Sequence, residues 1–255
     1  FYEINYCQAF EAALTNAHPV NLYNALTALS PTPFACFYKN ATDYLLCASP
    51  ERYLQKKGSR LISQPIKGTI KRNIQNEIED KLQLETLQNS SKDKSENVMV
   101  VDLVRNDLSR ICEQGSVAVS ELFGIYTYPQ VHQMISTITG SVNDKVSFSE
   151  ILDATFPMGS MTGAPKKSVM ETIDLLEPTK RGLYSGTIGY IDPTGDFDFN
   201  VVIRSIFYNS QSGKANYQVG GGITIYSDPE KEYEECLLKA AAIKKVLSNN
   251  DSTTE

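Results

Sequence analysis

The sequence is poor in the residues that most protein metal sites and disulfide frameworks require. It contains two histidines, His18 and His132, so a zinc site built from several histidines is not expected. Any bound metal should therefore be a hard cation held by carboxylates. The five cysteines are scattered along the chain and contain no CxxC pair. This usage is typical of a protein of the reducing cytoplasm rather than of a disulfide-stabilised one.

Two further absences limit the class of protein. The 255 residues carry a formal net charge of -6, so no basic surface for binding nucleic acid is expected. No apolar stretch approaches the length of a membrane span, and the N-terminus lacks the charged-then-apolar pattern of a signal peptide. Hydrophobic residues make up 41% and charged residues 21% of the chain, which is the composition of an ordinary globular protein.

The spacing of apolar residues predicts a mixture of short strands and helices. Strands are predicted at 34–38, 44–47, 53–55, 61–64, 117–122, 126–128, 186–191, 197–208 and 215–219. Helices are predicted at 77–87, 96–111, 148–155, 166–176 and 228–247. Closely spaced strands favour antiparallel pairing, so the fold class is expected to be α+β. Residues 1–247 should form one domain and 248–255 a disordered tail, and the abrupt strand-like start suggests that an N-terminal part of the fold is absent.

The segment QPIKGT (residues 64–69) places Lys67 between a proline and a glycine. Pro65 fixes its own φ, and Gly68 permits backbone angles that are closed to other residues. A lysine held in this way can present its amine to a cavity, where desolvation lowers its pKa towards the neutral, nucleophilic form. A solvated lysine at the end of a strand is the alternative interpretation.

Two pairs of acidic residues, each three positions apart, lie near predicted helix starts. Glu232 and Glu235 share one helix face with Lys239, and Asp93 and Glu96 precede an earlier helix. Carboxylates on a rigid face can bind Mg²⁺, which usually takes one or two protein carboxylates together with waters and substrate oxygens. The alternatives are a surface ladder of Glu and Lys for the first pair and helix-capping acids for the second.

The segment FPMGSMTGAPKKS (residues 156–168) superficially resembles a phosphate-binding loop. It lacks the Gly-Lys-Ser/Thr succession that such loops require, so a nucleotide-binding protein is a remote alternative. Pro165 suits the first turn of a helix, and free backbone N–H groups around Gly163 would favour a carboxylate. The run Gly220-Gly221-Gly222 permits close backbone approach to a ligand, or marks a bulge.

Three polar residues in apolar surroundings are further candidates. Arg204 is expected in mid-strand, where a buried guanidinium requires a carboxylate partner. Tyr184 offers a hydroxyl near a turn. His132 is most simply explained as a hydrogen-bonded histidine of the core.

Together these segments resemble the chorismate-utilising enzymes. The matching segments follow the family order from Tyr2 to about Lys245: SPERY, QPIKGT, ENVMVVDLVRND, FPMGSMTGAPK, YSGTIGYI, VVIRS, GGGIT and SDPEKEYEECLLK. The resemblance is closest to the aminating branch that makes 4-amino-4-deoxychorismate (the component I subunits of aminodeoxychorismate synthases), because Lys67 stands where other branches carry Ala. Glu3 is a departure, since aminating members more often have Gln there.

The resemblance implies a fold of two packed, mainly antiparallel sheets flanked by helices, with a chorismate-binding catalytic domain over residues 1–247. It also implies the following roles: Lys67 as nucleophile and Glu51 as general acid; Glu96 and Glu235 as Mg²⁺ ligands, with Asp93 and Glu232 nearby through water; and Thr69, His132, Gly163, Tyr184, Arg204, Gly221, Gly222 and Lys239 as substrate-binding residues. The cation would hold the ring carboxylate of chorismate.

The implied reaction starts with attack of neutral Lys67 on C2 of the chorismate ring while the C4 hydroxyl leaves, protonated by Glu51. Ammonia from a separate glutaminase subunit then attacks C4 and expels the lysine, in a pathway towards 4-aminobenzoate and folate. Two alternatives stay open. One is anthranilate synthase component I, and the other is a truncated, non-catalytic chorismate-binding subunit.

Overall fold

The computed structural model describes residues 1–14 and 17–251. Its strands are β1 (Glu3–Ala13), β2 (Phe34–Asn40), β3 (Asp43–Ser49), β4 (Arg52–Lys57), β5 (Arg60–Gln64), β6 (Ile66–Lys71), β7 (Ala118–Thr127), β8 (Val131–Ser141), β9 (Gly163–Ala164), β10 (Gly189–Ile191), β11 (Phe197–Asn200), β12 (Ser205–Asn209) and β13 (Lys214–Ile223). Its helices are α1 (Pro19–Leu29), α2 (Glu77–Asn89), α3 (Ser91–Ser109), α4 (Phe148–Thr155), α5 (Lys166–Leu176) and α6 (Pro229–Asp251).

These elements form two compact units, each made of several chain segments. The first unit comprises Phe1–Glu3, Glu51–Met170 and Gly189–Phe199. The second unit comprises Ile4–Pro50, Glu171–Ile188 and Asn200–Glu255, of which 15–16 and 252–255 lie outside the described residues. The prediction of one domain over 1–247 stays a prediction.

The first unit is built on a mainly antiparallel sheet with the strand order β10-β11-β4-β5-β8-β6, in which β7 also pairs with β8. Helices α2 and α3 pack on β6 and β8, and α3 also contacts α4. The apolar side chains of α3 that become buried, Val100, Val104 and Leu108, recur at helical spacing, which explains why this segment is a helix. Ser147 and Glu150 form a capping box that starts α4.

The second unit is built on an antiparallel sheet with the strand order β2-β3-β12-β13-β1. Helices α1 and α6 pack against each other, with α1 on β3 and α6 on β13. Their apolar faces form the core with the sheet, and Leu22, Leu26, Ala240, Ile243 and Ile206 are almost completely buried there. The first residue of β1, Glu3, belongs to the first unit, where the neighbouring Tyr2 N–H donates to Ala164 O of β9.

The α+β class with two antiparallel sheets and helices is confirmed, but several element predictions were wrong in detail. Helix α3 begins at Ser91 rather than at Glu96, because Ser90 provides the N-cap. The two strands predicted at 117–122 and 126–128 are replaced by one continuous strand, β7. The single strand predicted over 197–208 is interrupted between β11 and β12.

The last helix also differs from its prediction. It extends to Asp251, so residues 248–251 of the predicted disordered tail are helical, whereas 252–255 lie outside the described residues. Tyr233 of this helix is exposed. Within the described part of the chain, no helix is long and apolar enough to cross a membrane.

Candidate active site

Lys67 is the second residue of β6, at an irregularity in the pairing of that strand. The register between β6 and β8 shifts between Ile66 and Thr69, and Gly68 has a φ of +95°. This backbone conformation favours glycine. It turns the lysine side chain into the protein, where 11% of it is exposed. The prediction that the Pro/Gly frame holds this lysine away from solvent is therefore confirmed.

The Lys67 amine forms an ion pair with Glu3. The distance from Nζ to Glu3 Oε1 is 2.5 Å, and 3% of the glutamate side chain is exposed. Burial lowers the pKa of Lys67, but the carboxylates of Glu3, Glu96 and Glu51 outweigh it, so that the pKa is raised above its ordinary value. The expectation of a neutral resting amine was wrong, because the sequence does not reveal that Glu3 lies beside it.

Glu51 lies between β3 and β4 and is 5% exposed. Burial raises the pKa of Glu51 to about 7, although the Ser160 side chain, the Lys67 charge and the Ile66 backbone each lower it in part. A carboxyl group with this pKa is substantially protonated at neutral pH. It therefore has the property that a general acid needs.

Asp93 and Glu96 lie in the first two turns of α3. The Asp93 side chain packs against the glycine that follows Lys67, since a Cβ on Gly68 would lie 3.0 Å from Asp93 Cβ. Burial raises the pKa of Glu96, and its Oε1 lies 3.8 Å from Lys92 Nζ. The structure thus brings Lys67, Glu3, Glu51 and the acidic start of α3 into one region of the first unit.

Three other predicted site residues lie in the first unit: Thr69, His132 and Gly163. Thr69 is exposed on β6. His132 is buried on β8, with Nδ1 2.9 Å from Thr127 Oγ1 and Nε2 3.2 Å from Asp80 Oδ1. Both ring nitrogens therefore have protein partners, as in a structural histidine. Gly163 is buried in β9 with a φ of +148°, a conformation that favours glycine.

Arg204 is the most unusual predicted residue of the second unit. It was expected in mid-strand but lies in the break before β12, with a φ of +52°. Its carbonyl accepts from the Ala48 N–H at 3.2 Å, and its Nη1 donates to Lys239 O at 3.3 Å. Burial lowers the pKa of this guanidinium. Among the described residues it forms no ion pair, so the expected carboxylate partner is not a protein side chain of this part of the chain.

Tyr184 and the glycine run also lie in the second unit. Tyr184 is buried, and its hydroxyl accepts from Cys7 Sγ at 3.7 Å. Burial raises the pKa of Tyr184 well above its ordinary value, so the phenol stays protonated. Gly221 and Gly222 belong to β13, where Gly221 pairs with Tyr6 of β1. A Cβ on Gly221 would lie 3.6 Å from Lys239 Nζ, so this side chain faces the glycine.

The two acids of α6 differ strongly in environment. Glu232 is 7% exposed and its Oε1 accepts from Ser227 Oγ at 2.8 Å. Glu235 has a side chain that is 49% exposed and lies 2.7 Å from Lys239 Nζ, which also donates to Gly220 O at 2.9 Å. The Glu232 Oε2 atom lies 3.6 Å from the position of a Cβ on Gly221.

The carboxylate pairs suit a hard cation. Asp93 with Glu96, and Glu232 with Glu235, supply the oxygen donors that Mg²⁺ prefers, and it commonly needs only one or two of them. Glu96 also keeps a partly buried charge that a cation would compensate. The described residues contain no cluster of three or more His, Cys, Asp or Glu placed to hold a metal ion.

Two contacts of the site were not found from the sequence. Glu3 was noticed only as a departure from the family pattern, and its contact with Lys67 joins residues 64 positions apart. Ser160 lies in a 3-10 turn (Gly159–Met161), and its side chain lowers the pKa of Glu51. Its only sequence signal was membership of the FPMGSMTGAPK segment.

Comparison with known proteins now adds to this geometry. A model of the family described as chorismate binding enzyme matches residues 1–245. The chain is 39% identical over 240 residues to aminodeoxychorismate synthase component 1 of Bacillus subtilis (strain 168), covering 94% of this chain and 50% of that protein. It is 43% identical over 244 residues to the chloroplastic aminodeoxychorismate synthase of Arabidopsis thaliana, covering 94% of this chain and 26% of that protein. The chain thus spans half or less of the length of these two relatives.

Solved structures show the same fold. The anthranilate synthase component I from Streptococcus pneumoniae TIGR4 superposes with a TM-score of 0.84 at 32% identity, over 96% of this chain and 53% of that one. The menaquinone-specific isochorismate synthase from Escherichia coli superposes with a TM-score of 0.83 at 22% identity, over 96% of this chain and 56% of that one. At this lower identity the likeness concerns the fold alone.

Proposed function

The chain belongs to the chorismate binding enzyme family, and we propose that it is the catalytic part of an aminodeoxychorismate synthase, which converts chorismate and ammonia to 4-amino-4-deoxychorismate. The observation that carries the proposal is the Lys67 amine, on a side chain that is 11% exposed, whose charge acts on Glu51, a carboxyl group with a pKa of about 7 that suits a general acid. The names of the relatives at about 40% identity support amination at C4 over the anthranilate synthase alternative.

The first chemical step is attack of the Lys67 amine on C2 of the ring. The ring double bonds shift, and the bond from C4 to its hydroxyl oxygen breaks. Hydroxide is a poor leaving group, so Glu51 donates its proton and the group departs as water. The lysine nitrogen then forms a covalent bond to the ring.

In the second step ammonia attacks C4, the double bonds shift back, and the bond between C2 and the lysine nitrogen breaks. A glutaminase subunit supplies the ammonia, and the product serves 4-aminobenzoate and folate synthesis. The free cysteines of the described chain fit the reducing cytoplasm in which such a pathway would operate.

The substrate carboxylates need positive charge and hydrogen-bond donors. We assign the enolpyruvyl carboxylate to Arg204, since its guanidinium lacks an ion-pair partner in the described chain. Tyr184, Lys239 and the backbone at Gly221 and Gly222 of the same unit assist it. In the first unit we assign Gly163, Thr69 and His132 to substrate binding.

Mg²⁺ is the cofactor that the donor set fits. In the first unit Glu96 would hold it directly, with Asp93 through water, and in the second unit Glu235 and Glu232 offer carboxylates of the same kind. When bound, Mg²⁺ neutralises the ring carboxylate of chorismate and withdraws electron density from the ring.

The test is product formation from chorismate, Mg²⁺ and ammonium, measured by liquid chromatography and mass spectrometry. Lys67→Ala should reduce the rate at least about 100-fold, because the nucleophile is removed. The matched control is Lys71→Ala, an exposed lysine on the same strand, which should act like wild type. Without ammonia, wild type and the control should show a covalent chorismate adduct that Lys67→Ala lacks.

Three results would contradict the proposal. Full ammonia-dependent activity of Lys67→Ala would remove the nucleophile role. Formation of 2-aminobenzoate instead of 4-amino-4-deoxychorismate would identify an anthranilate synthase. Mg²⁺-dependent binding of chorismate in calorimetry, without turnover, would identify a non-catalytic binding subunit.

A further inference from the structure

We propose that Glu3 is the proton acceptor for the nucleophile: it takes a proton from Lys67 before the lysine attacks, and returns it when the product leaves. This inference rests on the proposed function, since it requires Lys67 to attack the substrate. It assigns a chemical role to a residue that the family resemblance leaves without one.

The geometry of the pair supports a direct transfer. Lys67 Nζ and Glu3 Oε1 are 2.5 Å apart, within reach of a short charge-assisted hydrogen bond. The Glu3 side chain is 3% exposed and the Lys67 side chain 11%, so water has little access to the proton between them. The second carboxylate oxygen, Glu3 Oε2, is buried and has no hydrogen-bond partner among the described residues. Among the described residues, the Glu3 side chain therefore hydrogen-bonds to Lys67 and is not part of a wider hydrogen-bond network.

A proton acceptor is needed because the amine is protonated at rest. Four carboxyl groups lie around this part of β6: Glu3 from β1, Glu51 before β4, Glu96 from α3, and Asp93 against the neighbouring glycine. Glu51 must carry its own proton to the leaving hydroxyl, so it is not available as a base. Asp93 and Glu96 are assigned to the cation. Glu3 is the carboxylate left for the lysine, and the one that touches it.

The proton balance closes without any additional reagent. The proton moves from Lys67 Nζ to Glu3 Oε1, the neutral amine attacks C2, and Glu51 gives its proton to the leaving hydroxyl. The covalent nitrogen is then a secondary ammonium, which is a good leaving group. Ammonia attack on C4 expels the neutral amine, which regains its proton from Glu3. The new ammonium at C4 gives one proton to Glu51, and the enzyme is restored.

The experiment measures the rate of adduct formation by rapid quench and intact mass between pH 6 and pH 9. Chorismate and Mg²⁺ are present and ammonia is absent. Wild type is compared with Glu3→Gln, which keeps the shape of the side chain but cannot accept the proton. Glu3→Asp keeps a carboxylate at a shorter reach and serves as the matched control.

In wild type the proton moves from Lys67 to Glu3 within the ion pair, so the rate of this transfer does not depend on pH. In Glu3→Gln the Lys67 amine must instead release its proton to solvent before it can attack. The ratio of the wild-type rate to the Glu3→Gln rate should therefore fall about tenfold per pH unit, as long as Lys67 of the variant is mainly protonated. The titration of Glu51 affects both proteins and cancels in the ratio. Glu3→Asp should be slower than wild type, with a ratio that does not depend on pH.

A pH-independent ratio for Glu3→Gln would overturn the inference, and so would a Glu3→Gln enzyme that is faster than wild type throughout. If Glu3→Gln gives no cooperative thermal unfolding, Glu3→Ala, which also lacks a carboxylate, replaces it. The same tenfold fall of the ratio per pH unit is then expected, and a constant wild-type to Glu3→Ala ratio would refute the transfer. Absence of any adduct in wild type would overturn the proposed covalent function and this inference together, whereas the preceding results leave the function standing.

Discussion

Burial of Glu51 has a consequence for stability that needs no substrate to observe. The pKa of this carboxyl group is about 7 in the folded protein, because burial disfavours its charged form. In the unfolded chain the pKa returns to about 4.3. Between these two values the folded protein binds more protons at this residue than the unfolded chain does. The free energy of unfolding therefore falls as the pH rises through this window.

The magnitude follows from the separation of the two pKa values. Each pH unit between them corresponds to about 1.4 kcal/mol, so an ionised Glu51 costs the folded state about 4 kcal/mol above pH 7. The group is 5% exposed, so solvent screening reduces this cost little. Glu51→Gln keeps the size of the side chain and removes the charge. It should be close to wild type in stability at pH 4.5 and more stable by up to about 4 kcal/mol at pH 8.5.

Urea unfolding, followed by circular dichroism at four values of pH from 4.5 to 8.5, measures this difference. The control is Glu85→Gln on α2, an exposed residue at which the same substitution should change little at any pH. A stability difference between Glu51→Gln and wild type that stays constant over the range would refute the reasoning. The same variant should lose adduct formation at least about 100-fold, since an amide cannot act as the general acid.

Two further predictions concern the first unit. Lys166 Nζ lies 2.5 Å from Asp107 Oδ2, and burial raises the pKa of Asp107 to about 6. Lys166→Met should therefore destabilise the protein by about 3 kcal/mol at pH 8 in urea unfolding, because it leaves the Asp107 carboxylate unpaired. The loss should be smaller at pH 5, where Asp107 is protonated. Adding Asp107→Asn to the Lys166→Met protein should restore much of the lost stability. Gly68→Ala should cost about 2 kcal/mol or more in the same assay, because its φ is +95° and the new Cβ would lie 3.0 Å from Asp93 Cβ. Gly58→Ala, with a φ of +58° and no atom within 4 Å of the new Cβ, should cost only about 1 kcal/mol; equal costs would refute the steric part of the argument.

Elements with clear local signals could be predicted from the sequence. Helices α4 and α5 have the predicted bounds, since a one-sided apolar pattern specifies both and a capping box starts α4. The short strands β2 to β5 were located to within a few residues for the same kind of reason: apolar runs separated by turns.

Strand β8 was missed, although three other strands pair with it. It is buried along most of its length, so its sequence lacks the alternation of a half-exposed strand. It also carries buried polar residues whose partners are distant in sequence. His132 contacts Asp80, and the Ser136 hydroxyl donates to Asn97 Oδ1 at 2.6 Å. Such partners cannot be found from local pattern.

The break at Arg204 was missed for a different reason. The run of β-branched and apolar residues around it has strong strand propensity, but tertiary structure overrides propensity at single positions. Arg204 adopts a positive φ that a non-glycine residue rarely takes. Strained conformations of this kind are characteristic of functional sites, where binding uses the geometry that strain provides. The proposal that Arg204 receives a substrate carboxylate is consistent with this cost.

The protonation states of Lys67 and Glu51 connect the fold to the proposed chemistry. Burial acts on them in opposite senses: it lowers the pKa of a lysine and raises that of a glutamate. Burial alone would thus give a neutral amine beside a neutral acid, which is the state that the reaction requires. Glu3 changes this balance, since its carboxylate contributes to raising the pKa of Lys67 and the resting amine is charged. At rest the Lys67 amine therefore carries one proton that must be removed before the amine can attack. A carboxylate 2.5 Å from the amine can hold that proton during the covalent phase, so the same contact that keeps Lys67 inactive at rest provides the route to its activation.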